Sequence, residues 1–146
     1  MNSSPRKNLI MCTNNWYRVH VEKYAEGHFI KSFSKTYKKA RDKTFVAIKE
    51  MLHRIDKLLL TTKAEKIHSA NYLHLVKCEF AIAWLSQSPH KSGNRYIILL
   101  DEKNRTCSIL LLYAKATNIQ WNNETQRREN EIRANYPDIK KHFTGL

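Results

Sequence analysis

The sequence predicts an α+β fold: a small antiparallel sheet packed against one or two helices of the N-terminal half, with a further helix at the C-terminus. Three observations predict it. Phe45, Ile48, Leu52, Ile55 and Leu59 recur at three- and four-residue intervals, the mark of a single apolar helix stripe. Three runs rich in Leu, Ile, Phe and Tyr (72–85, 95–100 and 106–114) are joined by short polar links, the pattern of an antiparallel meander. Beyond residue 115 the composition turns polar and ends in a charged stretch closed by Pro137.

Taken in order, WYRVHV (16–21) is aromatic and β-branched and reads as an edge strand, with Gly27 allowing a bend and 29–33 extending it. Ser34 is a reasonable N-cap for the long helix. Along that helix Lys38, Lys39, Lys43, Lys49, Arg54 and Lys57 lie largely off the apolar stripe. The polar stretch 61–70 reads as a helix end or a short second helix. SQSPHKSGN (86–94) and DEKNR (101–105) are the links between strands, and 109–112, apolar on both faces, reads as a central strand. Asn122 or Asn123 can cap the last helix, where Glu124–Arg128 and Glu129–Arg133 form favourable pairs one turn apart. On that helix Trp121, Thr125, Arg128, Ile132 and Tyr136 share a stripe too thin for a deep core position.

The 146 residues suit one domain, 16–146, behind a flexible N-terminal tail at 1–15. Hydrophobic residues are 42% of the chain, enough for a buried core, which argues against full-length disorder. No run is long enough to span a bilayer, so no membrane role is expected, and the apolar run behind Arg6 and Lys7 is too short for a signal peptide. Cys12, Cys78 and Cys107 are far apart and form no CxxC, which suits a reducing cytoplasm and indicates neither a disulfide framework nor zinc. The seven histidines form no HxH or HExxH, so neither a metal nor another cofactor is expected.

Twenty-six Lys and Arg against thirteen Asp and Glu give +13, and from Lys31 to Lys43 six basic residues face one acid. Such a domain repels itself, and a polyanion relieves that repulsion while gaining counterion release. Nucleic acid is the leading candidate, with Lys35, Lys38, Lys39 and Lys43 as its phosphate-docking residues.

The segment GNRYIILLDEKNRTCSILLLYAK (93–115), together with the order of elements and the tail ETQRRENEIRANYP (124–137), resembles the RelE/ParE-like toxins of bacterial type II toxin–antitoxin systems. In that family an Arg opens a strand, a polar hairpin follows, and an apolar strand ends at a basic residue. The resemblance implies a RelE-like domain. For the RelE branch it implies a metal-independent, ribosome-dependent mRNA endonuclease in which the 2′-OH attacks the adjacent phosphate. It then makes Arg95 the phosphate-binding group and Lys115 the basic residue at the end of the last strand. Lys77 stands for the lysine pair of the preceding strand, while Tyr136 and His142 substitute by location for the C-terminal catalytic tyrosine. The second arginine of many members is replaced by Ala116 and Thr117. A cognate antitoxin, usually acidic, is the implied partner, beside the ribosome and mRNA. The ParE branch implies DNA gyrase as target instead. A third reading is a non-catalytic RNA-binding or ribosome-associated module, which an exposed aromatic pair on the sheet would favour. On the RelE reading, Arg95→Ala abolishes toxicity while the fold persists.

Overall fold

The computed structural model describes residues 16–114 and 124–146. The N-terminal tail 1–15, Lys115 and the Asn122 or Asn123 cap lie outside the described residues. The fold is α+β. Strand β1 (Arg18–Val21) leads into a helical segment, α1, built from an α-turn at Lys23–Ala25, a π-helical stretch at Glu26–Ile30 and an α-helix at Lys31–Thr36. Next come α2 (Arg41–His53) and α3 (Ile55–Leu58), then β2 (Ala64–Ala70), β3 (Leu73–Glu79), the short α4 (Pro89–Ser92), β4 (Arg95–Asp101) and β5 (Thr106–Tyr113). The chain closes with α5 (Glu124–Asn135) and α6 (Pro137–Lys140).

The sheet has five strands in the order β1-β5-β4-β3-β2. β2 to β5 form an antiparallel meander, but β1 pairs with β5 in parallel, so the sheet is mixed rather than purely antiparallel. The helices after β1 carry the chain to β2 at the far edge, and the three antiparallel links that follow bring β5 back beside β1 in parallel. β5 is the interior strand that its doubly apolar run predicts: Ile109, Leu110 and Leu111 are fully buried.

Further expectations change: the run 72–85 is a strand only from Leu73 to Glu79, and four others follow. Residues 29–33 are helical, because Ala25, Phe29 and Phe33 fall at four-residue spacing and all three are buried on one face. Ser34 caps nothing; its Oγ accepts from Arg41 Nε at 2.8 Å, and α2 begins at Arg41. Residues 64–70 are an edge strand with a bulge between Lys66 and His68, not a helix. Such a strand buries few side chains, which hides its alternation in the sequence. On α5, Ile132 is fully buried and Arg128 nearly so, because the helix lies against the sheet rather than beside it.

The apolar stripe of α2 packs as its spacing predicts: Phe45, Ile48, Leu52 and Ile55 are buried. Arg54, with φ −120° and ψ 49°, interrupts the helix and turns Leu58 rather than Leu59 into the core. The Cys107 thiol approaches the Leu52 carbonyl at 3.6 Å, which marks the sheet face covered by α2. Cross-strand partners share a face, so Glu79, Arg95 and Tyr113 form one row on the opposite face, with Glu65 and Lys77 in the next row. α5 covers part of that second face: Tyr113 donates its hydroxyl to Glu124, and His68 meets Glu129 at 3.3 Å. Pro137 ends α5 as its position predicts, and Tyr136 there donates to the Leu110 carbonyl at 2.7 Å. Among the described residues, no helix is long and apolar enough to cross a membrane.

Candidate functional site

The uncovered end of the second sheet face carries a charged groove. β3 ends at Glu79 and β4 opens at Arg95, and antiparallel pairing makes the two direct cross-strand partners. Arg95 Nη2 lies 3.1 Å from Glu79 Oε2. The remaining reach of this guanidinium goes to backbone: Nη1 donates to the carbonyls of Asn94 (2.8 Å) and Pro89 (3.3 Å), and Nη2 to that of His90 (3.1 Å). Arg95 thus pins the connection 80–94 to the sheet.

That connection is ordered by its own sequence. Ser88 caps α4 by accepting from the Lys91 amide, Pro89 opens the turn, and Gly93 closes it at φ 75°, where a side chain would be strained. Ser92 Oγ donates to the Phe80 carbonyl at 2.7 Å and holds the turn against the end of β3. The result sets His90 beside Glu79, with Nδ1 3.0 Å from Oε2. Glu79 is buried at 7% exposure, and its Oε1 has no hydrogen-bond partner among the described residues. Most of the His90 side chain, 78%, is exposed, so its Nε2 is available.

Glu79 and His90 line a groove of about 340 Å³ with Lys77, Glu65, Thr61, Thr62 and Ala64. Lys77 Nζ lies 3.1 Å from Glu65. The groove therefore joins an imidazole oriented by a buried carboxylate to an ammonium, with a guanidinium behind them. A carboxylate fixing one ring nitrogen leaves the other poised for proton transfer, the logic of triads. Among the described residues, no group of three His, Cys, Asp or Glu is arranged to hold a metal ion.

Of the sequence-predicted site residues, the structure brings Arg95 and Lys77 into adjacent rows at this end of the sheet. Tyr136 is buried in the core, its hydroxyl given to Leu110, and burial raises its pKa above the ordinary phenol value. His142 is exposed after α6, and neither residue lines the groove. Glu79 and His90 are what sequence reasoning missed. Their signal was symmetry about the link 80–94: a glutamate ending one strand and an arginine opening the next become partners once the register is known.

The basic tract forms a second surface. Lys35 on α1, Lys38 and Lys39 in the turn, and Lys43 on α2 are all exposed. Asp42, the one acid of the tract, pairs with Arg41 at 2.8 Å, and the four lysines form no ion pair among the described residues. The positive charge is thus undiluted at the surface.

With its mixed five-stranded sheet, a charged groove at one sheet end and a lysine-rich helical surface, the chain belongs to the α+β class. No protein-family model, curated protein or solved structure matches it.

Proposed function

We propose that this chain is a RelE-like toxin of a type II toxin–antitoxin pair, cleaving mRNA at the ribosome without a metal ion and acting in the cytoplasm. The Arg95–Glu79–His90 chain of contacts, opening onto a groove that also holds Lys77, carries this reading. In RNA cleavage by the 2′-OH, the 2′-oxygen bonds to the adjacent phosphorus as the bond from phosphorus to O5′ breaks. One proton must leave the 2′-oxygen and another must reach O5′. His90 Nε2, held by Glu79, takes the first; the Lys77 ammonium, directed by Glu65, supplies the second. Lys77 and the field of Arg95 offset the charge that builds on the phosphoryl oxygens. Arg95 here is a positioning residue, since both of its terminal nitrogens are engaged by the fold. Glu79 and His90 take the roles that the resemblance placed near Tyr136 and His142.

Lys35, Lys38, Lys39 and Lys43 then grip ribosomal RNA, and a flexible acidic antitoxin neutralises the same positive field. The test is tightly induced expression in bacteria with pulse labelling of methionine and thymidine incorporation. The wild type stops methionine uptake first. His90→Ala, exposed enough to leave the fold intact, loses about a hundredfold or more of mRNA cleavage. Undiminished cleavage by His90→Ala removes the groove from the mechanism.

The inward-tied Arg95 favours a second reading, a member of this group that binds without cleaving. Thymidine uptake failing first would assign it to gyrase, and unimpaired growth to a non-toxic RNA-binding module.

A further inference from the structure

We infer that Trp84 is a stacking platform for an unpaired nucleobase, set at the edge of the basic tract so that one RNA strand meets ring and lysines together. The inference rests on the RNA-binding part of the function proposed above. Trp84 is 65% exposed, and its neighbour Leu85 is also exposed. Its backbone has φ 68°, a left-handed conformation that a bulky residue rarely adopts. Strain of this kind persists only where the surroundings enforce it, and it gathers at ligand-contacting positions.

Here the surroundings are identifiable. Phe80 and Ile82 are buried and root the loop in the core. The Ala83 amide donates to Thr44 Oγ1 on α2 at 2.9 Å, and Thr44 is itself buried. The Ile82 amide donates to Gln87 Oε1 at 3.2 Å, and the Leu85 amide to the Ile82 carbonyl at 3.2 Å. These bonds tie the loop to the start of α2 and lay the indole against Lys43, whose Nζ is 5.3 Å from the ring centroid.

Lys39 and Lys43 are four residues apart, and Lys35 and Lys38 belong to the same exposed basic tract. A single strand fits this arrangement, with phosphates along the lysines and one base on the indole. An acidic peptide would be served by the lysines but would leave the ring without a partner. A duplex offers no free base face to it.

The test measures binding of a short single-stranded oligoribonucleotide, the same sequence as a duplex, and heparin, a polyanion without bases. Trp84→Ala is expected to weaken single-strand binding roughly tenfold or more, while Trp84→Phe keeps most of it and heparin binding is unchanged. Replacing Lys38, Lys39 and Lys43 together by alanine weakens all three and flattens the salt dependence. Wild-type single-strand binding unaffected by Trp84→Ala overturns the stacking role and leaves the RNA reading standing. Equal losses for single strand and heparin in Trp84→Ala also overturn it, since the ring would then only position Lys43. A wild-type protein that binds heparin but neither RNA overturns the RNA reading and this inference with it.

Discussion

Replacing Arg95 with alanine is expected to lower the free energy of unfolding by about 3–5 kcal/mol, the cost of stranding one member of a buried ion pair. Glu79 is buried, its Oε1 already lacks a partner among the described residues, and Oε2 would keep His90 there. The substitution also strips donors from the Pro89, His90 and Asn94 carbonyls, so the 80–94 connection loosens with the pair. Urea denaturation measures the loss as a lower midpoint. The double variant Glu79→Gln with Arg95→Ala should be more stable than Arg95→Ala alone, because no buried charge is left uncompensated. A midpoint for Arg95→Ala equal to that of wild type would show that the pair does not hold the connection. Loss of toxicity in Arg95→Ala therefore reports on the fold as well as on chemistry. His90→Ala is the cleaner probe of the groove.

Raising the pH should unfold the protein cooperatively, beginning near pH 10. Burial pushes the Cys107 thiol up to about 12 and also raises Cys78, Tyr96, Tyr113 and Tyr136 above their ordinary values. Below its unfolded value each group holds its proton in both states, and pH leaves stability unchanged. Above that value, about 8.5 for a thiol and 10 for a phenol, the unfolded chain releases a proton that the folded chain keeps. Stability then falls with rising pH, by about 1.4 kcal/mol per group per unit. With five such groups the slope above pH 10 reaches about 7 kcal/mol per unit, against a total stability of typically about 5–15 kcal/mol. Circular dichroism and the phenolate absorbance of Tyr96, Tyr113 and Tyr136, as distinct from exposed Tyr72, should change together in one transition. Phenolate absorbance reaching its full value around pH 10 with the fold intact would mean that these side chains reach solvent without unfolding.

Local pattern was enough for much of this fold. The 45–48–52–55 stripe, the central place of 109–112 and the stop at Pro137 each depend on near neighbours in the chain. Local pattern misled where two periodicities compete over few residues. Aromatic 29–33 reads as strand until Ala25 is counted with it, and 64–70 reads as helix because an edge strand shows little alternation. The parallel pairing of β1 with β5 joins segments 88 residues apart, and no local signal records it.

The site divides in the same way. Its charge was determined by the sequence alone: the lysine tract stays at the surface because burying unpaired ammonium groups is prohibitive. The identity of Arg95 as the arginine that opens β4 was equally local. Only the tertiary structure decided what Arg95 touches, since register across the sheet sets Glu79 opposite it and the capped turn at Pro89–Ser92 brings His90 to the same carboxylate. Likewise Trp84 joins the basic surface through its loop's long-range anchors, among them the hydrogen bond between Ala83 and Thr44, residues 39 apart in the chain. Side-chain chemistry is written residue by residue, but which groups meet is set by long-range packing, whose free energy is shared over the whole core.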